Sequence, residues 1–282
     1  MNSEYQKVVN ANIALHSKLS ADYTTCEPHF RPENVMKVER ILRSLVSSDG
    51  SSRLLDLGCG TGFIIHIAKK FVREIHGVDV TQEMLDRVDV SGDATIRLHN
   101  CDTGVYPAEN EYFDLVTAYS FLHHLYDIEP TVNTAFRSLR SGGKFYADLD
   151  PNFYFWQGVH TLARDGQYDA VVKREVEMVA YKDEDIQKNF GVEKDIFNHA
   201  EFGKNIKGGF REEEITCILM DAGFSKVEFF YHWFLGQGAL INDESEPENL
   251  RTTKADTINE WLVRTLPLGR NLFKYVGFVA TK

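Results

Sequence analysis

Five short apolar segments recur in the first half of the chain: RLLDLG (53–58), EIHGVDV (74–80), ATIRLHNCD (94–102), FDLVTAYS (113–120) and GGKFYADLD (142–150). Runs of this length and composition read as buried strands. Helical patterns separate them. Phe63, Ile64, Ile67, Ala68 and Phe71 fall at helical spacing after the first, TQEMLDRV follows the second with Thr81 as its cap, and Pro130 opens a helix carrying Val132, Phe136 and Leu139 after the fourth. Strands alternating with helices predict a doubly wound α/β fold, a mostly parallel sheet with helices on both faces. A ligand of such a sheet sits at the carboxyl ends of the strands.

The remaining segments organise around that core. Residues 1–50 read as a helical lead-in, because PENVMKVERILRSLV places Val35, Val38, Ile41, Leu42, Leu45 and Val46 on one face, with Pro32 near its start and Gly50 past its end. Residues 51–152 form the core. From 153 to 210 the pattern loosens into an aromatic-rich PNFYFWQGV and charged stretches, an expected inserted cap. Residues 211–282 return to the core through the helix REEEITCILMDAGF, the strand KVEFFYHWF (226–234), an acidic loop NDESEPEN, a helix around 254–264 and a final strand in NLFKYVGFVATK.

The chain has 282 residues, enough for a sizeable core at 43% hydrophobic content. Its formal net charge of −11 argues against non-specific binding to nucleic acid or to an anionic bilayer. Cys26, Cys59, Cys101 and Cys217 show no CxxC pair and no zinc spacing, so reduced thiols in a cytoplasmic protein are expected. No signal peptide is read at the start. No apolar run approaches the roughly 18 residues of a membrane span.

The turn after the first strand is LLDLGCGTG (54–62). A phosphate loop would follow its glycines with lysine, and a dinucleotide fingerprint would read GxGxxG. Here Gly58, Gly60 and Gly62 give GxGxG, position 63 is Phe, and Asp56 would repel a pyrophosphate. A ligand with an amino acid tail fits better, its carboxylate meeting turn and helix N–H groups and its ammonium meeting an acid or carbonyl oxygens. Asp79, ending the second strand, can accept both hydroxyls of a ribose, and Asp102, ending the third with Thr103 beside it, can accept from an adenine amino group. Carboxylate, ribose and adenine in that order describe S-adenosylmethionine.

The ordered segments LLDLGCGTG, HGVDV, HNCD, FDLVTAYSFLHHL and GGKFYADLDPN resemble the class I S-adenosylmethionine-dependent methyltransferases over roughly residues 50–152. The resemblance implies a Rossmann-like, seven-stranded sheet whose last strand is antiparallel. It implies cofactor contacts at Asp56, Gly58, Cys59, Gly60, Gly62, Asp79, Val80, Asp102 and Thr103. Tyr119 would line the same pocket, and Tyr23 from the lead-in would close over the methionine end.

A methyl group on a sulfonium is already activated, so positioning and exclusion of water matter more than a catalytic triad. His124 in FLHHLYD is the candidate base, against a plainer role for His123 and His124 in packing or capping the next helix. ADLDPN offers Asp148, Asp150 and Asn152 as oxygen ligands for magnesium, but Ala118, Tyr119 and Ser120 supply no acid at the end of the fourth strand, and no metal is expected. AYSF lacks the Asn or Asp and paired prolines of amino-methylating enzymes of nucleic acids, so the expected partner is a small-molecule acceptor, with Phe153, Tyr154, Phe155 and Trp156 as a possible aromatic lid. The competing readings are a non-catalytic S-adenosylmethionine-binding regulatory protein and an NAD-dependent oxidoreductase.

Overall fold

The structure is a computed structural model and describes residues 3–21, 23, 28–179 and 183–282. Seven strands form one sheet: β1 (Arg53–Leu57), β2 (Glu74–Asp79), β3 (Thr95–Asn100), β4 (Phe113–Tyr119), β5 (Leu139–Pro151), β6 (Lys226–Phe234) and β7 (Phe273–Thr281), in the order β3-β2-β1-β4-β5-β7-β6. The first five run parallel, and β7 lies antiparallel between β5 and β6.

Side-chain alternation along the central strands divides the core in two. Leu55 and Leu57 of β1, Val116 and Ala118 of β4 and Phe145 and Ala147 of β5 face one layer, with Val132 and Ala135 of helix Glu129–Ser138 and Ile215 and Leu219 of helix Glu212–Ala222. Leu54, Leu115 and Tyr146 face the other, with Val38 and Leu42 of helix Pro32–Leu45 and the whole apolar side of helix Phe63–Ala68. The strand order reverses between β1 and β4, so their carboxyl ends splay and leave a crevice.

The loosened stretch after β5 is helical: Phe153–His160, Ala170–Val179, Asp183–Phe190, Lys194–Ala200 and a π-helical turn at Phe202–Ile206. Its ends meet, since the Phe210 N–H donates to the Pro151 carbonyl at 2.7 Å and the Phe153 N–H to the Phe210 carbonyl at 3.0 Å. The insertion therefore leaves and rejoins the core at one point. The aromatic run at its start does not form a lid. Phe155 and Trp156 are buried against Val159 and Val176, while Phe153 and Tyr154 stack under Arg211 and Arg270. The C-terminal helix spans Glu248–Val263, six residues earlier than expected, because Pro247 caps it and the end of the acidic loop supplies its first turn.

The lead-in helix α1 (Ser3–Leu19) lies on the insertion rather than on the sheet. Its Ala11 and Leu15 share a small core with Ile186, Val192, Phe197 and Ala200. Cys59 is buried, Cys101 half-buried and Cys217 exposed, all as free thiols, and Cys26 lies outside the described residues.

The insertion meets the core most closely at Gly203, where an added Cβ would sit 2.7 Å from the His123 Cα and 2.9 Å from its carbonyl oxygen. Backbone cannot yield as a flexible side chain can. Gly203→Ala is expected to cost about 1–3 kcal/mol and to loosen the insertion first. Urea denaturation together with limited proteolysis of residues 153–210 checks this; wild-type resistance on both counts would refute it.

Candidate functional site

At the carboxyl ends of β1, β2 and β4, beneath α1, lies a cavity of about 470 Å³. The turn after β1 forms its floor. Gly58 adopts φ 72°, and an added Cβ would lie 2.0 Å from the Phe121 ring, so that ring packs directly on the turn. The N–H groups of Gly58 and Cys59 both donate to the Val78 carbonyl, at 2.8 and 3.1 Å, which fastens the turn to β2. Gly62, at φ 88°, caps helix Phe63–Ala68 and does not line the cavity. An added Cβ there would meet Val88 at 2.9 Å.

Asp56, Gly58, Cys59, Gly60, Asp79, Val80, Asp102, Thr103, Tyr119, Tyr23 and His124 all line this cavity. Asp79 accepts from the Gly60 N–H at 2.9 Å and the Thr81 N–H at 2.8 Å, and burial raises its pKa above the ordinary carboxylate value. Asp102 accepts from the Gly104 N–H at 2.7 Å and from the Tyr5 hydroxyl at 2.9 Å. Asp56, buried beneath the turn, accepts from the Thr117 hydroxyl at 2.6 Å, and desolvation pushes its pKa up to about 7. Asp127 adds a fourth carboxylate, and no Lys or Arg lines the cavity among the described residues.

At the other end sits an aromatic cluster. Tyr119 packs on Phe63 with ring centroids 4.8 Å apart and accepts from the Asn34 amide at 2.9 Å, while burial keeps its phenol protonated. Tyr23 lies 5.9 Å from His29, whose ring burial holds neutral with a pKa of about 4. His124 donates from Nδ1 to the Ala200 carbonyl at 2.7 Å, since a carbonyl can only accept. Burial, aided by His123, lowers its pKa to about 3, so at pH 7 the ring is a neutral hydrogen-bonding group and a weak proton acceptor, unlike a base poised near neutrality.

The acids of ADLDPN are directed elsewhere. Asp148 accepts from the Tyr146 hydroxyl at 2.8 Å and pairs with His232 at 3.3 Å, and Asp150 accepts from the backbone N–H and Nδ1 of His123. Asn152 donates to the Arg270 and Phe273 carbonyls, both at 2.7 Å.

Residues 55–147, which carry the turn and the floor of the cavity, match the family described as a methyltransferase domain. That match supports a methyltransferase domain of the class I S-adenosylmethionine-dependent kind over this core. An uncharacterized methyltransferase of Bacillus subtilis is 30% identical over 108 residues, 35% of this chain and 43% of that protein. The ubiquinone biosynthesis O-methyltransferase of Idiomarina loihiensis is 25% identical over 169 residues, 55% of this chain and 66% of that protein. The chain thus spans less than two thirds of either relative. Among solved structures, phosphoethanolamine N-methyltransferase 2 of Haemonchus contortus, in complex with phosphomonomethylethanolamine and S-adenosylhomocysteine, shares the fold with TM-score 0.56 and 17% identity, covering 100% of this chain and 60% of that one. A Mesorhizobium loti S-adenosylmethionine-dependent methyltransferase does so with TM-score 0.53 and 21% identity, covering 86% and 96%.

S-adenosylmethionine is the cofactor of this methyltransferase family, and the donor set suits it. The hydroxyl of Thr61 lines the cavity and is buried with no hydrogen-bond partner among the described residues, leaving a polar group ready for a ligand. Four carboxylates without a cation suit a ligand bearing a sulfonium and an ammonium, and disfavour a pyrophosphate.

Sequence reasoning missed the roof. Tyr5, Val8, Val9, Asn12 and His16 of α1 face the cavity, and the Asn12 amide donates to the His124 carbonyl at 2.9 Å. The signal was present, since positions 5, 8, 9, 12 and 16 recur at helical spacing. Their mixture of Tyr, Val, Asn and His hid an inward face that meets ligand space rather than core.

The raised pKa of Asp56 has a sign that can be measured. Between about pH 4 and pH 7 the folded chain retains a proton that the unfolded chain has lost, so this group's contribution to stability falls as pH rises through that window. Asp56→Asn removes the effect. Relative to wild type, the variant should gain on the order of 2 kcal/mol more at about pH 8 than at about pH 5.5, read by urea denaturation at both. Equal changes at the two pH values would refute the assignment.

Proposed function

We propose that the protein transfers the methyl group of S-adenosylmethionine to a small-molecule acceptor. The observation that carries this reading is the cavity at the ends of β1, β2 and β4, lined by strand-end carboxylates and the glycine turn and lacking Lys and Arg. In this reading Asp79 holds the ribose hydroxyls and Val80 packs beside them. Asp102 and Thr103 face the adenine, and Asp56 balances the ammonium from below the turn. Gly58, Cys59 and Gly60 let the backbone approach the methionine tail, and Gly62 keeps the following helix in place. The bound cofactor supplies an activated methyl group.

The chain's own residues then align and enclose. Tyr119, Tyr23 and the neighbouring aromatic rings wall the methyl end, and their faces favour a cationic sulfonium. His124 lies on the acceptor side as a neutral group that lines the space for an acceptor. The acceptor's nucleophilic atom attacks the methyl carbon as the bond from that carbon to sulfur breaks, and S-adenosylhomocysteine leaves with the electron pair. Roofing by α1 excludes water, which supports a small acceptor over a polymer. The ubiquinone biosynthesis and phosphoethanolamine enzymes to which the chain is similar act, by their names, on small molecules.

Calorimetry with S-adenosylmethionine, S-adenosylhomocysteine and NAD tests the reading. The first two are expected to bind and NAD is not. Asp79→Asn should weaken binding roughly 10–100-fold, the worth of a charge-assisted hydrogen bond to the ribose. Unchanged affinity in the folded variant would misplace the ribose, and binding of NAD alone would sink the methyltransferase reading. Turnover is then sought with labelled methyl donor and panels of phenols, amines and carboxylic acids. Cofactor binding without transfer to any would favour a regulatory, non-catalytic role.

A further inference from the structure

His123 and His124 begin the crossing from β4 to the next helix, and Glu201 ends helix Lys194–Ala200 of the insertion. One donor atom from each can be chosen so that all lie within 4.8 Å of one another, and the side chains are only 8, 11 and 18% exposed. We propose that these three side chains bind a divalent late-transition-metal ion of the zinc or cobalt class, fastening the insertion to the core beside the cavity.

The hydrogen bonds around the cluster are those of a metal site's outer partners. His123 engages the Asp150 carboxylate through Nδ1 at 2.9 Å, and His124 gives its Nδ1 proton to the Ala200 carbonyl at 2.7 Å. In the tautomer that carries its proton on Nδ1 each ring offers Nε2 as a ligand, and a carboxylate or carbonyl behind a histidine favours that metal-ligating tautomer. The Glu201 carboxylate accepts no hydrogen bond from the described residues; it comes within 3.9 Å of Nε2 of His123 and within 3.8 Å of Nδ1 of His124, so the His124 ring must shift for its Nε2 to reach an ion held by Glu201. Two imidazoles beside a largely buried carboxylate are a set of side chains that a cation can hold together.

Two imidazoles and one carboxylate suit zinc and its late first-row neighbours and are too nitrogen-rich for calcium or magnesium. A fourth donor, a third nitrogen, stands close by. His16 of α1 sits edge-on to His124 with ring centroids 4.9 Å apart, and its Nδ1 is buried with no hydrogen-bond partner among the described residues. A tetrahedral ion sets its donors about 3.3 Å apart, so the side chains close by about 1–2 Å when it binds. Lead-in, core and insertion would then be joined at one point. The inference does not depend on the cofactor reading.

The experiment uses the full chain, stripped with chelator, and adds Zn²⁺ under calorimetry and Co²⁺ under visible absorption. The expected result is one ion per chain, a Co²⁺ spectrum with nitrogen ligands and a higher melting temperature with Zn²⁺. Glu201→Gln keeps side-chain shape while removing the charged ligand and should weaken affinity at least tenfold. Asp150→Asn, which alters only the outer partner of His123, should weaken it about 10–100-fold. A His160→Ala, Cys217→Ser double variant removes two exposed candidate ligands outside the cluster and should leave affinity unchanged. Absence of uptake by wild type overturns the proposal. Wild-type affinity in Glu201→Gln or in Asp150→Asn, or loss in the double variant, overturns it as well.

Discussion

The Asp79 carboxylate holds two turns in place at once. By accepting from the Gly60 and Thr81 N–H groups it ties the glycine turn after β1 to the exit from β2. Without that anion, two backbone donors at the floor of an apolar cavity would lose their partners, each at a cost of about 1–3 kcal/mol. Burial opposes the charge, and the two N–H bonds oppose burial. Everything above the turn rests on this balance: Phe121 packs on Gly58, Met84 follows Thr81, and the crevice between β1 and β4 keeps its shape.

The second dependency is between distant segments of chain. α1 cannot bury its apolar side on the sheet, because helices Pro32–Leu45 and Phe63–Ala68 already cover that face. It packs instead on the insertion through Ala11 and Leu15. The insertion is held by its paired ends at Pro151 and Phe210 and by the close approach of Gly203 to His123. Thus the roof of the cavity is assembled from elements that have little core of their own, and each supports the other.

The sheet and its helices were legible because period-2 and period-3.6 patterns report burial directly. Strand Lys226–Phe234 and the antiparallel closing strand follow that rule, as does the helix ended by Gly223. The glycine turn was legible as chemistry, since three glycines around a cysteine after a buried strand leave few ligands. The insertion was not. Its helices are short, and charged residues such as those of DEDIQKNF obscure the apolar positions that meet α1. Nor could sequence show that FYFW turns into a local core, or that the two histidines of FLHHL each spend one ring nitrogen on a separate oxygen. Those outcomes are set by partners far along the chain: Asp150, Val176 and Ala200 have no neighbours in sequence that announce them.

The shared packing of α1 and the insertion also governs time. The roof over a ligand beneath Tyr5, Asn12 and His16 is held by packing on Phe197 and Ala200 and by the hydrogen bonds of Tyr5 to Asp102 and Asn12 to His124. Opening of that roof brings a small apolar contact outside the cavity into the residence time of a ligand. Affinity and exchange rate therefore have partly separate structural origins in this chain. Substitutions at Ala11 or Leu15 would alter how quickly a bound molecule is renewed while leaving what is recognised unchanged.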